Sequence, residues 1–358
     1  MSLSAAEFRA HFPILARKVH LASCSLGARS TDLDHAVQQM LDDMAWDCFE
    51  NQFHQARTSF AHLIGAREDQ IALVPNASIG AYQVASTMDF TERGKIVTTE
   101  LEFPSVAHVW LAQGAEVVYA GEYEELIDRN TRLVSVPATT YQHGERLPVA
   151  DIARLAHDAG AEVFVDAYQA VGTEPVDVNR LGCDYLVAGA MKYLLGLPGL
   201  AFLYVREPDR TDRDPRLTGW FGRVDPFAFD PKTLDFPGTA RRFETGTPSV
   251  PAAYTANAGL RLIARTDLAK VREHVLDLTD VAIERLTAQG EQVKMLPRER
   301  RGAHLGLLDP DPAGLAKLLA GQGITVSPRG DVVRLSFHYH SNTDDIDVLC
   351  AALSRIER

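Results

Sequence analysis

The chain is poor in lysine and cysteine and has no long apolar run. Its four cysteines, Cys24, Cys48, Cys183 and Cys350, show no C-x-x-C spacing. That argues against a disulfide framework and fits a reduced, cytoplasmic protein. No stretch approaches the ~20 apolar residues of a membrane span. The Met-Ser-Leu-Ser opening reads into a helix and not into a signal peptide. Basic runs are absent too. With 36 lysines and arginines against 48 aspartates and glutamates, the net charge is −12, so no nucleic acid or membrane partner is expected. No Gly-x-Gly-x-x-Gly follows an early strand, which argues against a dinucleotide-binding domain. Repeats and low-complexity linkers are missing. What remains is an ordinary globular composition, 46% hydrophobic and 23% charged, in 358 residues, enough for two domains.

Scarcity makes one lysine conspicuous. Lys192 is one of seven, and it is the only charged residue in the run 188–199, with glycines on both sides. Desolvation disfavours an ammonium, so apolar surroundings push a lysine toward the neutral amine. A neutral amine condenses with an aldehyde to form a Schiff base. A lone lysine at the edge of a buried segment more often only snorkels. About one βαβ unit upstream, residues 162–165 read as a parallel strand that delivers Asp166 to its carboxyl end, where open α/β sheets place ligands. An aspartate there can simply cap a turn. Together, the two point to a pyridoxal phosphate site, with Lys192 for the aldehyde and Asp166 for the protonated pyridine nitrogen.

In chain order, residues 4–12 predict a short amphipathic helix, and 20–27 a strand entering a small-residue turn. A helix follows over about 30–64, broken near Asn51. The strand at 71–74 leads into Asn76, Ala77 and Ser78 at the head of a helix. Free N–H groups at a positive helix end make a natural phosphate seat there; the plain alternative is a helix cap. Further strands at 96–99, 116–119, 132–136, 184–187 and 200–205, separated by helical patterns, predict an α/β fold. Its sheet is mainly parallel with helices on both faces. Residues 207–242 are rich in proline, aspartate and arginine, and a loop this long is usually functional. Long helices begin near Pro251 and at Leu268, and 291–358 read as a compact α+β unit. The expected organisation is an N-terminal segment, 1–15, packing on the small domain, a large domain over 16–250 and a small C-terminal domain over 251–358.

In combination these motifs resemble pyridoxal-phosphate enzymes of fold type I, in the class V aminotransferase group of cysteine desulfurases, kynureninases and isopenicillin N epimerases. The resemblance spans nearly the whole chain. It implies the PLP-dependent transferase fold type I with a seven-stranded sheet, and pyridoxal 5'-phosphate as cofactor. It also implies an amino acid substrate and a homodimer with shared active sites. By this resemblance Lys192 is the Schiff-base lysine and Asp166 the partner of the ring nitrogen. Gln169, in Asp-x-x-Gln, donates to the phenolic oxygen, and Asn76, Ala77 and Ser78 form the phosphate turn. Phe103 stacks on the pyridine ring. Thr247, in Glu-x-Gly-Thr-Pro, reaches the neighbouring subunit's phosphate, and Arg334 grips the substrate carboxylate as a bidentate pair. Two positions depart from the pattern. Gly189 stands where a serine often binds the phosphate, and Met191 where a histidine often precedes the lysine.

The reaction is less sharply drawn. A desulfurase needs a nucleophilic cysteine shortly before its carboxylate arginine, and the stretch 323–331 has none. Cys350 falls at an apolar helix position, and Cys24 reads as a small buried thiol in a turn resembling an active-site segment of epimerase-like relatives. Gly219-Trp220-Phe221-Gly222 resembles a kynureninase loop, and His143 falls on the substrate side as a neutral-pH titrator. Trp220 and His143 therefore join Arg334 as expected substrate contacts. His338 and His340 share a face but lack a third ligand, so no metal site is expected. The resemblance implies an internal aldimine on Lys192, α-proton removal by the freed lysine and a quinonoid intermediate. From there β-cleavage, transamination and epimerisation all remain open. The kynureninase-like loop and the missing cysteine favour a β-lyase-type reaction, at Cβ–Cγ or Cβ–S, over an aminotransferase, an epimerase or a desulfurase. A cofactor-bound regulator is the non-catalytic alternative, disfavoured because Lys192, Asp166 and Arg334 are all present.

Overall fold

The computed structural model describes residues 2–356, so Met1 and the last two residues, at the outer ends of the expected domains, lie outside the described residues. The chain runs through α1 (Ala5–Ala10), β1 (Val19–His20), α2 (Thr31–Asp43), α3 (Trp46–Leu63), β2 (Ile71–Val74) and α4 (Ala77–Ser86). Next come β3 (Lys95–Thr98), α5 (Pro104–Leu111), β4 (Glu116–Tyr119), β5 (Thr131–Pro137), α6 (Val149–Asp158) and β6 (Glu162–Asp166). α7 (Val178–Leu181), β7 (Tyr185–Gly189), β8 (Ala201–Val205), α8 (Val250–Ala264) and α9 (Leu268–Ala288) follow. The chain closes with β9 (His304–Leu308), α10 (Pro312–Gly321), β10 (Ile324–Thr325), β11 (Ser327–Arg329), β12 (Val332–Ser336) and α11 (Thr343–Leu353).

Seven strands form the main sheet in the order β2-β8-β7-β6-β5-β3-β4. Only β8 runs against its neighbours; the other pairs are parallel. Strands such as β2, β7 and β8 are buried along their whole length, because helices cover both faces of the sheet. One face packs Ala81, Val106 and Trp110 of α4 and α5; the other packs Phe60, Ala153 and Ala256 of α3, α6 and α8. With the central strands aligned, their carboxyl ends open along one edge of the sheet, and the chemistry collects there.

The second sheet is antiparallel, β11-β12-β9. The N-terminal chain is tied to this part of the fold. β1 pairs with β10, Arg9 bridges Asp345 at 2.8 Å, and Phe8 stacks on His338 with centroids 5.5 Å apart. The helix expected over 30–64 breaks at Met44 and not near Asn51. Met44 takes a left-handed φ of 23°, while Asp43, just before it, accepts a hydrogen bond from Tyr254 at 2.7 Å. Anchoring the end of α2 to α8 in this way stops the helix at 43, and Asn51 lies inside α3. Residues 207–242 carry only short 3₁₀ turns, at Trp220–Gly222, Pro226–Ala228 and Ala240–Phe243. No described helix is long and apolar enough to cross a membrane.

Candidate active site

A cavity of about 400 Å³ lies at the carboxyl edge of the main sheet. Of the residues singled out in the sequence, Asn76, Ala77, Ser78, Phe103, Asp166, Gln169, Lys192 and Arg334 line it. Thr247, Trp220 and His143 do not. Thr247 is exposed; Trp220 packs on Trp46 and Phe229, with centroids 5.5 and 5.9 Å away; His143 Nε2 faces Asp331 at 3.8 Å. A wider cleft of about 750 Å³, near Glu122 and Arg146, contains neither Lys192 nor Asp166.

Each wall of the cavity follows from local sequence. Asn76 caps α4, its Oδ1 accepting from the Ile79 N–H at 3.0 Å, which leaves the N–H groups of Ala77 and Ser78 uncommitted at the positive end of the helix. Asp166 ends β6, nearly fully buried, and accepts a hydrogen bond from the Tyr168 N–H at 2.9 Å. Burial raises its pKa; the Tyr168 N–H and the Lys192 charge pull the other way. Behind it, Glu102 accepts from the Phe103 N–H at 2.8 Å and from Ser135 Oγ at 3.0 Å. Burial, reinforced by the Asp166 charge, pushes Glu102 up to about 8.

Lys192 sits in the loop between β7 and β8, and that loop is pinned from several sides. Gly27 N–H donates to Met191 O at 2.8 Å, and a Cβ on Gly27 would come within 2.5 Å of Lys192 O. Leu195 holds a φ of 62°, and His338 Nε2 donates to Tyr193 O at 2.9 Å. His338 Nδ1 meanwhile accepts from the Tyr339 N–H at 2.7 Å. This histidine is thus a neutral clamp on the loop, its pKa driven down to about 4 by burial. His340 is stacked on it at 5.2 Å, and no group able to hold a metal occurs among the described residues. The Lys192 amine stands 4.4 Å from the centroid of the Tyr168 ring and 5.5 Å from that of Phe103. Burial lowers its pKa to about 8; Asp166 opposes the shift, and Arg334 and Arg329 add to it.

The Gly189 departure has a structural counterpart. A Cβ at Gly189 would lie 1.7 Å from the Tyr168 hydroxyl oxygen, so that hydroxyl fills the space where a serine side chain would begin. Tyr168 was not singled out from sequence, because the fit is between a side chain in the turn after β6 and the bare backbone at the end of β7.

The opposite wall contains residues that sequence reasoning missed. Arg334 donates through Nη1 to Tyr141 O and through Nη2 to Ser25 Oγ and Ser327 Oγ, each at 2.7 Å, and through Nε to Ser327 O at 3.4 Å. Its fork is therefore largely committed to the protein, unlike the free bidentate grip expected. Ser25, Tyr141 and Arg329 line the cavity beside it. Ser25 and Tyr141 lie in loops that the sequence marks through Cys24 and His143, whereas Arg329 ends β11, in a stretch notable in sequence only for lacking cysteine.

The site fits a flat, phosphorylated, aldehyde-bearing ring. Gln169 is buried with its Oε1 unpartnered, and its Nε2 donates one of its two N–H groups to Cys24 O at 3.1 Å, leaving the other for a ring oxygen. Uncommitted helix N–H groups face a buried carboxylate and a depressed lysine across a space walled by aromatic rings. That donor set matches phosphate, ring nitrogen and aldehyde.

Comparison with known proteins agrees. The family model "Aminotransferase class-V" matches residues 25–349. An uncharacterized aminotransferase, YcbU, of Bacillus subtilis strain 168 is 33% identical over 355 residues, covering 95% of each chain. The kynureninase of Pseudomonas fluorescens is 29% identical over 90% of this chain and 84% of its own. In fold, the chain is similar to the apo cysteine desulfurase of Thermococcus onnurineus NA1, with a TM-score of 0.86 at 22% identity over 97% of this chain and 96% of that one. The chain belongs to the class V aminotransferase family and is an enzyme whose cofactor is pyridoxal 5'-phosphate.

Proposed function

We propose that this enzyme takes the α-proton from an amino acid and cleaves its side chain at Cβ, as a β-lyase. Lys192 would carry the cofactor, Asp166 would face the ring nitrogen, Gln169 the phenolic oxygen, and Asn76, Ala77 and Ser78 the phosphate. Bound pyridoxal phosphate supplies an aldehyde for the amine and an electron sink for the charge left at Cα. The rest falls to the chain. The Lys192 amine, with its pKa near 8, is part neutral at neutral pH and able to accept the α-proton at Nζ, then to return it to the leaving group. Arg334, with the Ser25 and Ser327 hydroxyls it holds, orients the substrate carboxylate. Phe103, at the head of α5 and edge-on to Tyr141 at 5.1 Å, keeps water from one side of the cavity.

The observation that carries the β-lyase reading is the absence of a cysteine from the segment before Arg334. The stretch before Arg334 is the tight β11–β12 hairpin, without cysteine. Cys183 is buried and pushed up to about 12 by that burial, and Cys350 and Cys48 lie on helices α11 and α3. Cys24 does line the cavity, from the turn before Ser25, and is the cysteine that the replacement below tests. Likeness to a kynureninase, at 29% identity, supports cleavage, and likeness to the uncharacterized aminotransferase YcbU, at 33%, supports transamination as the second reading. We assign Thr247 and Trp220 to the site of a second subunit in a homodimer. Beside Trp220, Phe229 is 71% exposed, and Leu234 in the same 207–242 segment is 62% exposed, a surface that a partner copy would cover.

The test is a substrate panel of kynurenine, cysteine, cysteine S-conjugates, alanine and aspartate, with products identified. Replacing all four cysteines by serine or alanine should leave turnover within about tenfold, a barrier change near 1.4 kcal/mol. Sulfide released from cysteine alone, and lost with one cysteine, would replace this reading with desulfuration. Amino-group transfer without cleavage would replace it with transamination.

A further inference from the structure

Two guanidiniums face the cavity, and they differ in how far their donors are spent. Arg334 has used four of its five N–H groups on Tyr141, Ser25 and Ser327, leaving one on Nη1. Arg329 makes one hydrogen bond, from Nη1 to Pro328 O at 2.7 Å. The hairpin register sets Ser327 opposite Arg334 and Arg329 opposite Val332. Side chains alternate along a strand, so Arg329, two residues from Ser327, stands on the face that carries Arg334.

Neither guanidinium has an acidic partner among the described residues. The hairpin's own acid, Asp331, instead accepts from Gln142 Nε2 at 2.8 Å and faces His143 at 3.8 Å. The cavity wall therefore bears three cations, Lys192, Arg329 and Arg334, against one carboxylate, Asp166. The crowding is felt: burial, and then the Arg334 charge, lower the pKa of Arg329. One carboxylate can be held by the spare Arg334 N–H and a serine hydroxyl. That leaves Arg329 with open donors at the mouth of the cavity and no anion to meet.

Resting on the reading of this site as an amino-acid site, we propose that Arg329 binds a second carboxylate, so that the substrate is an α-amino acid whose side chain ends in one. Arg329 sets specificity and stands apart from the groups that move protons.

Calorimetric titration of the holoprotein with succinate and with butyrate tests this, since the two differ by one carboxylate. Succinate should bind at least about tenfold more tightly. Arg329→Gln should erase that advantage and leave butyrate binding within about twofold, with the cofactor's absorption unchanged. Equal binding of the two acids to the parent, equal weakening of both by Arg329→Gln, or no binding of either would overturn the proposal. Failure of the underlying site reading would show separately, as a protein whose cofactor is not attached at Lys192.

Discussion

The two walls of the cavity are built differently. On the cofactor wall, Asn76, Asp166 and Lys192 each follow a separate parallel strand, β2, β6 and β7, so the sheet itself spaces them. On the substrate wall, Ser25, Tyr141, Ser327 and Arg334 come from three distant segments, and one guanidinium ties them together. The first arrangement is rigid because strands cannot shift independently. The second is adjustable, because changing one loop changes the pocket without touching the sheet. A scaffold of this kind keeps its chemistry while its substrate changes. Damage to one wall should therefore leave the other wall's signature intact.

The largest effect is expected on the cofactor wall. Lys192→Ala should lower turnover by about 10³-fold or more, and Lys192→Arg should do no better, because a guanidinium does not give up its proton near neutrality. On the substrate wall, Arg334→Ala should lower kcat/KM by about a hundredfold, near 3 kcal/mol, with the cofactor still bound. Loss of cofactor in that variant would break the division between the walls. Gly189→Ser should cost about 1–3 kcal/mol in thermal or denaturant unfolding, since its Cβ meets the Tyr168 hydroxyl; adding Tyr168→Ala should recover much of it. No recovery in the double variant would mean that the clash lies elsewhere.

A pH-dependent effect sharpens the picture behind the cofactor wall. Glu102 has a folded pKa raised from 4.5 to about 8, so between those values the folded chain holds a proton that the unfolded chain has lost. Stability from this group is present at low pH and is lost as pH rises through that window, by at most about 1.4 kcal/mol per pH unit. Measured against Glu102→Gln, the parent should weaken steadily from pH 5 toward pH 8. A difference independent of pH would place the proton elsewhere.

The cofactor wall was also the more legible in sequence. Buried parallel strands read as apolar runs, and a charge at the end of such a run, or alone within one, stands out; hence Asp166 and Lys192. The reversal of β8 leaves no mark, since a doubly covered strand reads the same in either direction. Ser25, Ser327 and Arg329 sit in loops or a short hairpin, where polar residues are the rule and nothing in the spacing points inward. Tyr168 and Gly189 match only in space. Trp220, Thr247 and His143 carry recognisable motifs, but a motif gives the residue type and not the cavity it lines.

The central claim is that Lys192, alone among the seven lysines, is held as an attachment point and base. Borohydride reduction of the holoprotein followed by peptide mapping tests it most directly. The account predicts one pyridoxyl group per chain, on Lys192, and none in Lys192→Ala. It also predicts that in cofactor-free protein the attachment rate rises with pH to a plateau just above about 8, the pH at which this amine loses its proton. A label on any other lysine, or a rate still climbing toward the ordinary lysine range near 10.5, would contradict it.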